Sequence, residues 1–252
     1  MIFCSMKFFS ESLEMCTEAY VLLPQRGTAG RIGDTNGEVG QGKFKCLYLL
    51  HGLSDDQSIW MRRTSIERYA EQYGIAVVMP FGGRSFYTDM KFGMRYYTYI
   101  AKELPARIAD TFNISTDRQD NFIAGLSMGG YGALKIGLNN CDRFAACAGL
   151  SPVTDIANWI SMGGLDAIFG PDRKIDDKDE LFALAKAKSG DPMRPRVFLA
   201  VGYDDMLYGE IKRFEALMRG LDYDFTYMES EGTHDWAFWD RYIQEVLKWI
   251  FR

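Results

Sequence analysis

Histidine is scarce in this sequence: only His51 and His234 occur among 252 residues, and no HExxH motif is present. Zinc sites usually draw on several histidine or paired cysteine ligands, so a metalloenzyme is disfavoured. The chain also lacks a basic excess, with 29 lysine and arginine residues against 34 aspartate and glutamate residues, which argues against a nucleic-acid partner. No apolar run approaches the roughly 18 residues that span a bilayer, so we expect no membrane contact.

Paired cysteine motifs are missing as well. The five cysteines are odd in number, include no CxxC and partly lie in apolar runs such as Phe144–Gly149. This pattern is typical of reduced, buried thiols in the cytoplasm. The N-terminus lacks the charged and apolar regions of a signal peptide, which also predicts a cytoplasmic protein.

What is present is an average globular composition, with 47% hydrophobic and 25% charged residues, which allows one large core. Short apolar segments typical of strands alternate with segments of helical periodicity. The predicted strands are 45–50, 75–80, 121–126, 144–150, 196–201 and 225–228, preceded by two β segments between 6 and 24 that break near 13–15. The alternation predicts an α/β fold with a mainly parallel sheet and helices on both faces.

Six glycines lie between residues 27 and 42. The segment has no GxxxxGK[ST] motif, and its glycines are not set between a strand and a helix as in a dinucleotide site. We therefore predict a hairpin tip here, not a phosphate-binding loop.

Residues Gly125-Leu126-Ser127-Met128-Gly129 match the G-x-S-x-G pattern. The motif follows a predicted strand and opens a predicted helix, which is the arrangement of a nucleophile elbow. The flanking glycines fit a turn too tight for larger side chains. We interpret Ser127 as a nucleophile; the alternative is a glycine-rich turn without chemistry.

A serine hydroxyl needs a neighbouring base, and only two histidines are available. Both follow predicted strands, where catalytic residues gather in parallel sheets. The chain order of nucleophile, acid and histidine in this kind of site favours His234 as the base. The alternative is a surface histidine close to the start of a helix.

The acid that orients this histidine must lie between Ser127 and His234. Asp204 and Asp205 directly follow the predicted strand 196–201, and spacing alone does not choose between them. Four further aspartates lie in the charged segment after residue 171, where a solvated surface is the expected role: Asp172, Asp176, Asp177 and Asp179.

The loop His51-Gly52-Leu53 follows the first buried strand. Such a loop supplies one backbone N–H of an oxyanion hole, and the residue after the nucleophile supplies the other. We therefore predict the amides of Leu53 and Met128 as the donors. The alternative is a tight turn with a structural imidazole.

Several aromatic residues are expected near the same edge of the sheet. We predict that Trp60, Phe86, Tyr87 and Trp236 line an acyl or aryl pocket, whereas packing in the core is the alternative. The charged residues 153–193 interrupt the alternation of strands and helices. They predict a small insertion over the active site, with a helix near 181–188, within a single domain of residues 1–252.

Three segments together resemble the tributyrin-esterase group of the esterase D, S-formylglutathione hydrolase and feruloyl esterase family, which belongs to the α/β-hydrolases. They are Leu47–Asp55, Phe122–Gly132 and Gly232–Trp236, and the resemblance extends over nearly the whole chain. It implies an α/β-hydrolase fold and a serine carboxylesterase without a cofactor. It also implies Ser127 as nucleophile, His234 as base and Asp205 as acid, although Met206 stands where an aromatic residue would be familiar.

The resemblance implies short-chain acyl or aryl esters as substrates, including acylated carbohydrates. An acyltransferase or a thioesterase could use the same three residues. A non-catalytic binding protein on a hydrolase scaffold is disfavoured, because such proteins usually lack one of the three. A homo-oligomer is compatible with this sequence.

Overall fold

The computed structural model describes residues 1–26, 40–161, 165–172 and 174–252. Most of the glycine-rich segment predicted to be a hairpin tip lies outside the described residues. Eight strands form one sheet, and they are β1 (Ile2–Ser10), β2 (Met15–Leu23), β3 (Cys46–Leu50), β4 (Ala76–Pro80), β5 (Asn121–Leu126), β6 (Ala146–Leu150), β7 (Arg196–Gly202) and β8 (Phe225–Ser230).

The strand order across the sheet is β1-β2-β4-β3-β5-β6-β7-β8. The pairs β1–β2 and β2–β4 are antiparallel, and all the other pairs are parallel. The loops that follow β3, β4, β5, β7 and β8 therefore leave from the same edge of the sheet. This edge is where ligands bind in open α/β sheets.

The central strands are buried on both faces. In β3, Cys46, Tyr48 and Leu50 pack into the hydrophobic cluster on one face, whereas Leu47 and Leu49 pack into the cluster on the other. Two covered faces explain why these strands are continuous apolar runs without alternation of polar residues.

The helices are α1 (Ile59–Arg63), α2 (Ile66–Tyr73), α3 (Tyr96–Thr98), α4 (Leu104–Thr111), α5 (Met128–Asn139), α6 (Ile156–Ser161), α7 (Asp166–Phe169), α8 (Leu181–Lys188), α9 (Tyr208–Arg219) and α10 (Trp236–Ile250).

The predicted fold class is confirmed. Helices α1, α2 and α10 contribute to the cluster on one face of the sheet, and α4, α5, α8 and α9 contribute to the other. None of the described helices is both long and apolar enough to cross a membrane. Since all eight strands share one sheet, we propose that the described residues belong to a single domain.

The start of the sheet differs from the sequence-based expectation. The first strand begins at Ile2, ahead of the predicted start at residue 6. The chain around Pro105 forms α3, a π-helical segment Tyr99–Glu103 and α4 in succession. Because proline has no N–H to donate, a change in the backbone hydrogen-bond pattern is expected close to it.

The segment 153–193 contains α6, α7 and α8, and the helix predicted near 181–188 is present with those bounds. The sequence analysis did not predict α6 and α7. The segment leaves the sheet next to the elbow, since the Val153 N–H donates to the carbonyl of Ser127 at 3.3 Å. The rings of Trp159 and Phe86 lie 6.4 Å apart, so α6 packs close to the loop after β4.

Candidate active site

Ser127 occupies the sharp turn between β5 and α5. Its backbone has φ 52° and ψ −119°, a left-handed conformation that is rare for a residue with a side chain. Backbone hydrogen bonds hold it there, because its N–H donates to the Leu150 carbonyl at 2.9 Å and its carbonyl accepts from Val153. Strained backbone of this kind is concentrated at functional sites.

The glycines around Ser127 are required by close backbone contacts. A Cβ at Gly125 would lie 2.3 Å from the carbonyl oxygen of Gly129. A Cβ at Gly129 would lie 2.5 Å from the carbonyl oxygens of both Leu50 and His51. The G-x-S-x-G pattern thus allows the start of α5 to pack directly against the end of β3.

His234 connects Ser127 to an aspartate through both nitrogens of its ring. Its Nε2 lies 3.0 Å from Ser127 Oγ, and its Nδ1 lies 3.0 Å from Oδ2 and 3.1 Å from Oδ1 of Asp205. The imidazole packs edge-on against Trp239 with 4.9 Å between ring centroids. The Trp239 indole N–H in turn donates to Ser151 Oγ at 3.2 Å, which fixes this ring beneath the histidine.

Asp205 is buried at the end of β7, whereas the neighbouring Asp204 is exposed. The carboxylate of Asp205 accepts the Leu207 N–H at 2.8 Å in addition to its contact with His234. Burial pushes the pKa of Asp205 upward, but these hydrogen bonds outweigh it and hold the pKa below its ordinary value. The structure therefore brings a charged Asp205, and not Asp204, to the imidazole.

The two predicted oxyanion donors belong to segments that approach Ser127. Gly52, which precedes Leu53, approaches the nucleophile so closely that a Cβ on it would be 3.9 Å from Ser127 Cβ. Met128 is the first residue of α5, and its N–H is directed out of the helix N-terminus. Within the described residues, neither the Leu53 nor the Met128 N–H has a hydrogen-bond acceptor in the protein.

His51 is buried and separate from the hydrogen-bond chain of Ser127, His234 and Asp205. Its Nε2 accepts the Gly82 N–H at 2.8 Å, so the ring hydrogen is on Nδ1, which donates to the Gly52 carbonyl at 2.7 Å. Burial lowers the pKa of His51, which favours this neutral form. The imidazole joins the loop after β3 to the loop after β4.

The aromatic residues predicted to line a pocket occupy two kinds of position, and the prediction is corrected for three of them. Trp60, Phe86 and Tyr87 are buried, with at most 1% of their surface exposed. Trp60 donates to the Leu50 carbonyl at 3.0 Å and Tyr87 to the His51 carbonyl at 2.9 Å, so both support the end of β3 from inside. Large rings with a polar group fill the interior when a carbonyl can accept their hydrogen.

Trp236 keeps part of its surface exposed and remains a predicted contact for substrate. Its ring stands perpendicular to those of Trp60 and Trp239, with 5.2 Å between centroids in each pair. Trp239 also packs edge-on against His234, so one ring separates Trp236 from the imidazole.

The sequence analysis missed Lys135, a fully buried lysine on α5. Its ammonium donates to the Phe86 carbonyl at 3.1 Å, Thr88 Oγ1 at 2.6 Å and Asp179 Oδ1 at 3.1 Å. The sequence does contain a sign of this residue, because Lys135 is the one charged residue in the otherwise apolar or neutral segment 128–139. Asp179, predicted to lie on a solvated face, is buried because it pairs with this lysine.

No cluster of three or more histidine, cysteine, aspartate or glutamate side chains that could hold a metal ion occurs among the described residues.

Comparison with known families agrees with this arrangement. The family model named Esterase, described as "Putative esterase", matches residues 10–250. The chain belongs to this family. An acetyl esterase of Caldicellulosiruptor saccharolyticus is 30% identical to it over 264 residues, covering 99% of this chain and 98% of the relative.

Two solved structures from Staphylococcus aureus resemble the esterase over its full length. FphF, described as a fluorophosphonate-binding serine hydrolase, superposes with a TM-score of 0.89 at 32% identity, covering 100% of this chain and 98% of FphF. The S-formylglutathione hydrolase FrmB superposes with a TM-score of 0.86 at 32% identity, covering 100% and 99%. The esterase is a serine-dependent carboxylic ester hydrolase with the α/β-hydrolase fold.

Proposed function

We propose that the protein hydrolyses short-chain acyl or aryl esters through an acyl-enzyme on Ser127, with His234 as general base and Asp205 as the orienting acid. The observation that carries this proposal is the hydrogen-bond chain from Ser127 Oγ through His234 to Asp205, with contacts of 3.0 to 3.1 Å. Each contact has the length and order that proton transfer from a serine requires.

In the first half of the reaction, Ser127 Oγ attacks the ester carbonyl while His234 Nε2 accepts its proton. The N–H groups of Leu53 and Met128 stabilise the negative oxygen of the tetrahedral intermediate. The intermediate then collapses, the C–O bond to the alcohol breaks, and His234 gives its proton to the leaving alcohol. Asp205 holds the ring in the required tautomer and stabilises its charged form.

In the second half, water replaces the alcohol. His234 takes a proton from this water as it attacks the acyl carbon, and the same two amides hold the second oxyanion. Collapse of this intermediate returns the proton to Ser127 Oγ and releases the carboxylic acid. The cycle uses only side chains and amides of the chain itself, so we propose that no cofactor takes part.

Thioester hydrolysis is the second candidate. FrmB is described as an S-formylglutathione hydrolase, and its likeness to this chain extends over the full length of both proteins. A thiolate leaves more easily than an alkoxide, so the same residues can perform this step without an added group. Acyl transfer to an alcohol would differ only in which nucleophile enters the second half.

We also propose a cytoplasmic location. All five cysteines are free, and Cys46, Cys141 and Cys147 are buried. This is the state in which thiols persist in a reducing compartment.

The proposal is tested with a panel of p-nitrophenyl esters, S-formylglutathione and a serine-reactive fluorophosphonate. We expect the reagent to label Ser127 alone, and Ser127→Ala to lower kcat by about three orders of magnitude or more with an unchanged circular dichroism spectrum. Ser189→Ala, which removes a hydroxyl elsewhere, is the matched control and should keep full activity. A Ser127→Ala variant with half of the wild-type activity would refute the proposal.

A further inference from the structure

The N–H of Leu53 and the carbonyl of Gly52 belong to the same peptide group. The N–H is the predicted oxyanion donor. In a trans peptide the C=O and the N–H point in opposite directions in one plane. Whatever holds the Gly52 carbonyl therefore also sets the direction of the Leu53 N–H.

The group that holds this carbonyl is the imidazole of His51. The Gly52 oxygen accepts two hydrogen bonds. The His51 Nδ1–H donates to it at 2.7 Å, and the Asp55 N–H donates to it over the longer distance of 3.3 Å. On the other side of the ring, Nε2 accepts the Gly82 N–H at 2.8 Å. The ring is thus fixed in one tautomer and one orientation by two loops.

The surroundings leave the imidazole no freedom to turn. His51 is 1% exposed, and its ring lies 6.0 Å from Tyr87 and 6.1 Å from Phe81 between centroids. Tyr87 also donates to the carbonyl of His51, which anchors the preceding peptide group of the same loop. Two consecutive peptide groups are therefore held through their carbonyl oxygens.

We propose that His51 is a positioning residue that aims the Leu53 N–H at the oxyanion by holding the Gly52 carbonyl. The proposal rests on the proposed function, since it presupposes that Leu53 supplies an oxyanion donor. It assigns to His51, the histidine that does not contact Ser127, a role in the reaction without contact to substrate.

Two variants of nearly equal shape separate hydrogen bonding from packing. His51→Asn places an amide N–H close to the position of Nδ1 and keeps the donor to Gly52. His51→Leu has a similar branched shape and no donor. Both lose the acceptor for the Gly82 N–H, so the pair differs in the one bond that the proposal invokes.

The readout is kcat and KM for p-nitrophenyl acetate, with thermal unfolding recorded in parallel. We expect His51→Leu to lower kcat by about 10- to 100-fold while KM changes by less than about threefold, because an oxyanion contact acts in the transition state. His51→Asn should recover most of the lost kcat although its melting temperature also falls. Tyr69→Phe removes a hydroxyl contact between α2 and α10, to Asp240, and should lower stability without changing kcat.

Several outcomes would overturn the proposal. They are a folded His51→Leu variant with wild-type kcat, equal impairment of the Asn and Leu variants, or a loss confined to KM. If His51→Leu does not fold, His51→Gln replaces it, since its longer side chain keeps the acceptor for Gly82 but not the donor at Nδ1. A Gln variant as active as the Asn variant then contradicts the proposal.

The test also separates this inference from the proposed function. If Ser127→Ala remains active, the proposed function is wrong whatever the His51 variants do. If Ser127→Ala is inactive and His51→Leu has normal kcat, only the role of His51 is wrong.

Discussion

At the scale of single residues, the same side-chain type has different chemistry according to its partners. His51 lies between two backbone groups in the interior, where burial lowers its pKa. His234 lies between a hydroxyl and a carboxylate, with 15% of its side chain exposed. Of the two histidines, His234 is the proposed base, because its Nε2 faces Ser127 Oγ and not a backbone N–H.

The adjacent Asp204 and Asp205 provide a matched pair for testing the acid. Asp205→Asn should lower kcat by about 10²- to 10⁴-fold, since an amide no longer stabilises the charged imidazole or fixes its tautomer. Asp204→Asn removes the same charge one residue earlier, from an exposed side chain, and should change kcat by less than about threefold. Steady-state measurement of kcat for both variants tests this prediction. A large loss of kcat in the Asp204 variant would contradict the assignment of Asp205.

At the scale of elements, α5 connects the nucleophile to the segment 153–193. Ser127 precedes the first turn of α5, and Lys135 lies about two turns later. The Lys135 ammonium donates to Thr88 in the loop after β4 and to Asp179 just before α8. The Tyr131 hydroxyl of the same helix donates to the Asp179 carbonyl at 2.6 Å. These contacts attach the residues before α8 to α5, the helix that begins after Ser127.

Breaking this ion pair from one side should be costly. Lys135→Met leaves the Asp179 carboxylate buried without its partner, and removal of one member of a buried pair costs about 3 to 5 kcal/mol of unfolding free energy. The double variant Lys135→Met with Asp179→Leu should recover part of that loss, because no unpaired charge remains. Chemical denaturation of the three variants measures this coupling. Additive losses in the double variant would show that the two side chains are independent.

The pH dependence of stability provides a second test of Lys135. Burial lowers the pKa of Lys135 to about 8, below the value of about 10.4 for an unfolded lysine. Between these values the unfolded chain binds a proton that the folded protein lacks, so this residue makes stability rise with pH. The difference in unfolding free energy between wild type and Lys135→Met should therefore be constant up to about pH 8 and grow in favour of wild type toward pH 10. A difference that stays flat or shrinks would contradict the lowered pKa.

At the scale of the whole molecule, one sheet edge gathers every group of the proposed reaction. The loops after β3, β5, β7 and β8 contribute the oxyanion donors, the nucleophile, the acid and the base, and the segment 153–193 packs beside them. The described helices of this segment have six, four and eight residues. None of these is a long apolar helix of the kind that covers the active site of a lipase.

This architecture predicts a preference for short acyl chains. We expect the highest kcat/KM for acetyl to butyryl esters and a steep decrease beyond about eight acyl carbons, as a site of limited size rejects added methylenes. Rates on p-nitrophenyl esters from acetyl to palmitoyl, measured below and above the solubility limit, provide the test. Activity that climbs through palmitoyl esters, or that jumps at an oil–water interface, would identify a lipase instead.

Several features of the fold and site could be predicted from local sequence. The strands and most helices follow from periodicity, and the G-x-S-x-G pattern locates the elbow because its glycines are demanded by contacts at Gly125 and Gly129. The helices α6 and α7 could not be predicted, since they are only six and four residues long and depend on packing against the loop after β4.

The sequence by itself determined the α/β fold, the nucleophile motif and the preference for His234 over His51 as the base, because these depend on neighbouring residues, on counts and on chain order. The family resemblance implied Asp205, but residue spacing alone left Asp204 and Asp205 open, and the tertiary structure shows that Asp205 faces His234. Only the tertiary structure decided that Trp60, Phe86 and Tyr87 fill the interior. His234 is 107 residues from Ser127 and 29 from Asp205 along the chain. Contacts over such separations depend on the twist and register of the whole sheet, which local sequence patterns do not specify.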